Sequence, residues 1–216
     1  RDRNVTCYLL IMPQTIKTRT VGRPRKFDRD KVIEQAMKAF WMHGYEGTSM
    51  RILVSATGLE APSIYGAFGN KKQFFETCIE SYAEKSRPFH EKAISQPDSR
   101  LVAKCCLEGV VEIMTSEGYP EGCLVILGAV VSSPQSDSVR HYLSDKMSNL
   151  TLRYVKRFER SIEEGDLPKN ADPSALANYL ITIDRGLALQ AKAGHTKPDL
   201  LKTVSMALSN WPFCDR

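Results

Sequence analysis

Five cations cluster near the start of the chain: Lys17, Arg19, Arg23, Arg25 and Lys26. Gly22 and Pro24 interrupt them and oppose a helix. An arm of this kind neutralises phosphates and fits the minor groove of duplex DNA. Its chemistry is binding, not bond-making. Residues suited to catalysis are present but dispersed. His43, His90, His141 and His195 lie far apart, and none shares a motif with a nucleophile. No G-x-S-x-G, H-E-x-x-H or P-loop pattern occurs. Glu159, Glu163 and Glu164 read as a solvated helix end, not an acid–base pair. The expectation is a protein that is not an enzyme, with no catalytic residues, no cofactor and no metal site.

The six cysteines are Cys7, Cys78, Cys105, Cys106, Cys123 and Cys214. They form no C-x-x-C pair and no zinc-type spacing. Buried or free thiols in a reducing cytoplasm are expected. Cys105 and Cys106 together with Cys123 leave open a sensor of oxidation or metal. Neighbouring residues on a helix point about 100° apart, which weighs against that reading.

Charge divides the chain. Of its 216 residues, 1–85 hold 14 basic and 9 acidic side chains, whereas 86–216 hold 16 of each. The whole excess of +5 lies in the first two-fifths. This suggests a basic module for a polyanion joined to a neutral module with another task. The hydrophobic content of 42% is enough for a core and argues against wholesale disorder. No run approaches the ~18 apolar residues of a membrane span, and no repeat indicates a solenoid. Residues 5–12 weakly imitate a signal peptide after Arg1 and Arg3, but no small-x-small cleavage site follows. Met12 is the expected natural start, with residues 1–11 not native.

The elements that must position these charges read as helices. After Asp28, a suitable N-cap, the residues Val32, Ile33, Ala36, Ala39 and Phe40 recur on one helical face. Gly44 ends this first helix. Thr48 is expected to cap a second, over 49–57, which Gly58 stops. A third starts at Ala61-Pro62, with Pro in the first turn, and ends near Phe68-Gly69. Asn70 opens a fourth, running to about Arg87 and halted by Pro88. The second and third helices around a glycine turn have the outline of a helix-turn-helix. Further helices are expected over 100–116, 123–131, 137–164, 173–193 and 198–210. The segment 123–131 is apolar enough to be buried on all sides, and the tail after Trp211-Pro212 is expected to fray. The fold class is all-α, without strands.

The stretch from Ile33 to Phe75 resembles the DNA-binding domain of the tetracycline-repressor (TetR) family of bacterial regulators. The resemblance rests on Ala36, Phe40, Gly44-Tyr45-Glu46, Thr48-Ser49, Gly58 and the run Ala61-Pro62-Ser63-Ile64-Tyr65-Gly66-Ala67-Phe68-Gly69-Asn70-Lys71. The rest of the chain resembles the family only in the number and length of its helices. The resemblance implies an N-terminal three-helix helix-turn-helix DNA-binding domain and a C-terminal helical domain for ligand binding and dimerisation. The implied divisions are an arm over 1–26, a DNA-binding domain over 27–75 and an effector-binding and dimerisation domain over 76–216.

By the same resemblance, Thr48, Tyr65 and Lys71 contact phosphates. Physical reasons agree: a helix N-terminus attracts anions, a phenol reaches a phosphate, and a cation in a helix's first turn is not favoured by the dipole. Base reading is expected from Arg51, which suits guanine O6 and N7, and from Ala61, Pro62, Ser63 and Gly66. These last four are smaller than the family often has, so Arg51 and the arm residues Arg23, Arg25 and Lys26 carry more of the expected specificity. Ile52 stands where the family is usually polar.

In the neutral module, Leu176, Leu180, Ile183 and Leu187 form one seam, and Leu200, Val204 and Leu208 belong to another. Their steps suit both an internal core and a four-helix dimer interface. Tyr82, Ile113, Met114, Leu124, Tyr154 and Phe158, as apolar and central residues, are the candidate effector pocket. The implied function is a cytoplasmic, dimeric repressor of a palindromic operator, released by an unknown hydrophobic or amphipathic effector. The partners are double-stranded DNA, that effector and a second copy. The alternatives are a regulator of the same fold that senses through cysteines, and a helical enzyme or binding protein that has lost DNA.

Overall fold

The computed structural model describes residues 27–118, 120–130 and 136–212. The arm residues Arg23, Arg25 and Lys26, with Cys7 and Cys214, lie outside the described residues. Among the described residues the regular structure is entirely helical: α1 (Arg29–Gly47), α2 (Met50–Thr57), α3 (Ala61–Phe68), α4 (Lys71–Ile94), α5 (Ser99–Met114), α6 (Leu124–Val130), α7 (Asp137–Glu163), α8 (Pro173–Lys192) and α9 (Lys197–Ser209). The chain is all-α, as its periodicities indicate.

Most helices start where short polar side chains accept orphan backbone N–H groups. Asp28 accepts from Asp30 and Lys31, Asp98 from Leu101, and Asp172 from Ser174 and Ala175. Asn70 and Gln73 form a reciprocal capping box at the head of α4. At Gly44 the backbone leaves the helical region, at φ 70°.

Two boundaries differ from expectation. The cap of α2 is Ser49, whose side chain accepts from the Ile52 N–H; Thr48 instead turns its hydroxyl back onto α1. And α4 continues past Pro88 to Ile94. Proline removes one i→i−4 bond, but the following turns are held by tertiary contacts. Ala93 is buried in the C-terminal core, and Phe89 and Ile94 pack against it. Arg157, on α7, donates from Nε to the Ile94 carbonyl at 3.0 Å and from Nη2 to the Gln96 carbonyl at 2.8 Å.

Two apolar clusters organise the molecule. The first gathers Ala36, Met37, Phe40 and Trp41 of α1 with Leu53, Ile64, Phe68, Phe74, Phe75 and Ile79. Phe68 stacks on Phe74 with centroids 4.1 Å apart, and Phe40 meets Phe75 edge-on at 5.0 Å. Leu124 of α6 and Val139 and Leu143 of α7 complete this cluster, so the N-terminal head rests on the C-terminal helices. In α6, Leu124 and Ile126 are buried while Val125 and Leu127 are half-buried, which corrects the expectation of burial on all sides.

The second cluster joins the end of α4 to α5, α7, α8 and α9 and closes with Trp211. Trp211 is buried, and its Nε1 donates to Ser99 Oγ at 3.3 Å. Leu180, Leu187, Leu200, Val204 and Leu208 all lie inside this cluster, and Leu176 and Ile183 pack half-buried against it. Five of the seven residues of the expected dimer seam are therefore core of the single chain, while Leu176 and Ile183 stay at its edge. Face and core differ by one helical step here, and spacing alone does not say which stripe turns inward.

Candidate nucleic-acid interface

The head presents α3 with two sides. Ile64 and Phe68, one helical turn apart, enter the first cluster. Pro62, Ser63, Tyr65 and Gly66 face solvent and Ala61 is half-buried. Tyr65 is 50% exposed, unusual for a large aromatic. Arg51 of α2 is also exposed, while Ile52 is half-buried against the cluster. The candidate base-reading residues thus lie on the outside of α2 and α3, free of core duties apart from Ala61.

The three candidate phosphate contacts fare differently. Tyr65 is available. Lys71 stands at the first position of α4, donates from Nζ to the Tyr45 carbonyl at 3.0 Å, and lies 4.3 Å from the centre of the Tyr45 ring. It therefore binds α4 to the end of α1 as well as carrying charge to the head. Thr48 is fully buried, and its hydroxyl donates to the Gly44 carbonyl at 2.6 Å. Its side chain is spent on the α1–α2 corner. Ser49, which the sequence reading passed over, is exposed; its oxygen accepts from Ile52, and no described residue takes its hydroxyl proton. The signal for it was the adjacent Thr-Ser pair, in which either residue satisfies the capping preference.

Gly69 holds the corner between α3 and α4 at φ +75°, where a Cβ would run into the Gln73 side chain. Only glycine permits both the backbone and the capping box that seats Lys71.

Below the head, a cavity of about 290 Å³ opens beside α4. Tyr82, Ile113 and Met114 line it, as expected, together with Phe89, Ile126 and Ile181. Leu124, Tyr154 and Phe158 do not. Leu124 belongs to the first cluster, and Tyr154 and Phe158 are fully buried in the second. Polar groups that the apolar reading missed also line the cavity: His90, Cys123, Arg153, Asp184 and Arg185. The Tyr82 hydroxyl reaches Cys123 Sγ at 3.4 Å. Burial pushes the Cys123 thiol up and the Cys106 thiol further still, so neither is a ready thiolate. No group of three or more His, Cys, Asp or Glu side chains among the described residues could hold a metal ion. No described helix is long and apolar enough to cross a membrane.

Residues 32–78 match the model for bacterial regulatory proteins of the tetR family, and residues 99–207 match that for the tetracyclin repressor-like C-terminal domain. The chain is 31% identical over 195 residues to the HTH-type transcriptional repressor ComR of Escherichia coli, covering 88% of this chain and 92% of that protein. It is 28% identical to the HTH-type regulator YezE of Bacillus subtilis, over 88% of this chain and 98% of that one. Among solved structures, a cysteine-substituted TetR family regulator, CifR, complexed with 26-bp double-strand operator DNA, superimposes with a TM-score of 0.84. It is 36% identical, over 88% of this chain and all of that one. With both of its halves matched in order, the chain belongs to the TetR family of DNA-binding transcriptional regulators.

Proposed function

We propose that the protein is a cytoplasmic repressor, not an enzyme, that binds a palindromic operator as a dimer and lets go when a small molecule enters the cavity beside α4. The observation that carries this reading is the two-sided α3, which anchors itself by Ile64 and Phe68 and leaves Pro62, Ser63, Tyr65 and Gly66 to the outside. On this reading Arg51, Ala61, Pro62, Ser63 and Gly66 meet base edges. Tyr65, Lys71 and the hydroxyl of Ser49 hold phosphates. Thr48 serves them indirectly by fixing the start of α2. Arg23, Arg25 and Lys26 enter the adjacent minor groove.

The second copy joins through the outer sides of α8 and α9, not through the buried leucines. Tyr179 is 42% and Met206 67% exposed there, with Ile183 between them along one shallow groove. Two heads held in this way address half-sites ~34–36 Å apart. Release is supported by the path of α4, which begins at Lys71 and lines the cavity with Tyr82, Phe89 and His90. A ligand that favours a shifted α4 weakens DNA binding, and DNA weakens the ligand by the same factor.

Binding to the duplex flanking the gene, followed by fluorescence anisotropy, tests the reading. Arg51→Ala should relax preference at one base position by ~1–3 kcal/mol, and Lys71→Ala should weaken all sequences alike. Equal, sequence-independent losses from both would overturn the base-reading role.

A further inference from the structure

Asp184, on α8, lines the cavity and is only 7% exposed. No described residue forms a hydrogen bond or ion pair with its carboxyl group, and Arg185 acts on it through charge alone. Buried carboxyls are ordinarily paired, and this one opens its oxygens to the cavity, where a ligand can supply the partner. His90 adds a second acceptor. The Tyr154 hydroxyl donates to Cys106 Sγ at 3.1 Å, and its oxygen lies 3.0 Å from His90 Nδ1. With the phenol proton on Cys106, a neutral His90 donates from Nδ1 and keeps its lone pair on Nε2. The Tyr82 hydroxyl is turned to Cys123. Asp184, when ionised, and His90 are therefore the acceptors this cavity holds beside its cationic lining residues.

We infer that the ligand of this cavity is a compact apolar molecule bearing a protonated amine, its ammonium group seated on Asp184 and donating also to His90. The inference rests on the proposed effector role of the cavity and names the class of effector. Its size follows from the volume of about 290 Å³, at the low end of the ~300–1,000 Å³ of drug-sized sites. Four cations also line the cavity; Arg185, half-buried and adjacent to Asp184 in the chain, competes for its carboxylate, and the other three are paired or solvated. Lys146 is paired with Glu80 at 2.5 Å, Arg87 lies 3.8 Å from Glu84, and Arg153 is exposed to water. An anionic ligand held by Arg153 would favour protonated Asp184 and so weaken as pH rises, the opposite of the amine.

Phenethylamine, phenethyl alcohol and phenylacetate share a skeleton and differ in charge. Titrated calorimetrically into the full chain at neutral pH, the amine should bind at least ~tenfold more tightly than either of the others, as a charge-assisted bond predicts. Asp184→Asn should abolish that preference and leave the alcohol unchanged. A second measurement needs no variant. Amine affinity should rise severalfold from about pH 6 to about pH 8 as Asp184 ionises, while alcohol affinity does not rise. Burial, against Arg185, pushes Asp184 up to about 7. Burial and Arg153 push His90 down to about 4, and Glu80 is lowered by Lys146. Tyr82 and Cys123 are pushed up, above this range.

Tighter binding of phenylacetate or the alcohol, an undiminished amine preference in Asp184→Asn, or no binding by any of the three would overturn the inference. Amine binding that leaves operator affinity unchanged would overturn the effector role instead. Release of the operator by phenylacetate alone would overturn the inference and spare that role.

Discussion

The Tyr82 ring stands edge-on to Trp41, with centroids 5.1 Å apart at 88°. Trp41 belongs to α1 and the head; the Tyr82 hydroxyl touches Cys123 at the cavity. One side chain of α4 therefore contacts both regions. Tyr82→Phe keeps the ring contact and should change stability by no more than about 1 kcal/mol, the value of one hydrogen bond. Tyr82→Ala removes both contacts and should cost about 3 kcal/mol, as large aromatic truncations do. Urea unfolding of the two variants checks the difference.

Thr48→Val tests whether that residue meets DNA through its own hydroxyl. The buried hydroxyl donates to the Gly44 carbonyl, so its loss should lower stability by about 1–3 kcal/mol. The slope of log affinity against log salt should stay as in the wild type, because no phosphate contact is removed. A slope reduced by about one would return Thr48 to the phosphate set.

The C-terminal stripes separate by mutation. Leu180→Ala opens the core and should cost about 2–5 kcal/mol in stability. Met206→Asp lies on the outer side of α9 and should leave the melting temperature of the isolated chain nearly unchanged. It should weaken self-association, which sedimentation equilibrium measures directly. Operator affinity should fall with it, since paired heads are what a palindrome selects.

Asp184 makes stability depend on pH. Burial raises its folded pKa from 3.8 to about 7, so between those values the folded chain holds a proton that the unfolded chain has lost. Stability then falls as pH rises across this window and levels off above it. Tyr82, Tyr154, Cys106 and Cys123, which share its field, are pushed up by burial and titrate above the window. Asp184→Asn should therefore melt at a higher temperature than the wild type near pH 8, with the gap closing near pH 4. Thermal unfolding at the two pH values decides it.

Helix positions were legible because caps and glycines are local. Asp28, Gly58, Pro62 and Asn70 each announce a boundary through their own backbone preferences. The end of α4 was not legible, because the carbonyls beyond Pro88 are held by Arg157, more than sixty residues away. The outer residues of α2 and α3 were visible as a pattern, but Thr48 and Ser49 compete for one cap, and only packing decides which turns inward. The cavity was half legible. Tyr82, Ile113 and Met114 are apolar wall, whereas Asp184 sits within a leucine seam and reads from sequence as an ordinary helix carboxylate. Its buried setting depends on which face of α8 turns toward the cavity.

Gly66 sits in the middle of the exposed side of α3, and a Cβ added there would meet nothing within 4 Å. The vacancy makes this helix open to retargeting. On the proposed base-reading role, an Asn or Arg introduced at that position should gain a new reach toward nucleobases without disturbing Ile64 or Phe68 beneath it. On that role, a single codon change in this fold should redirect which operators it selects, with the core beneath α3 left in place.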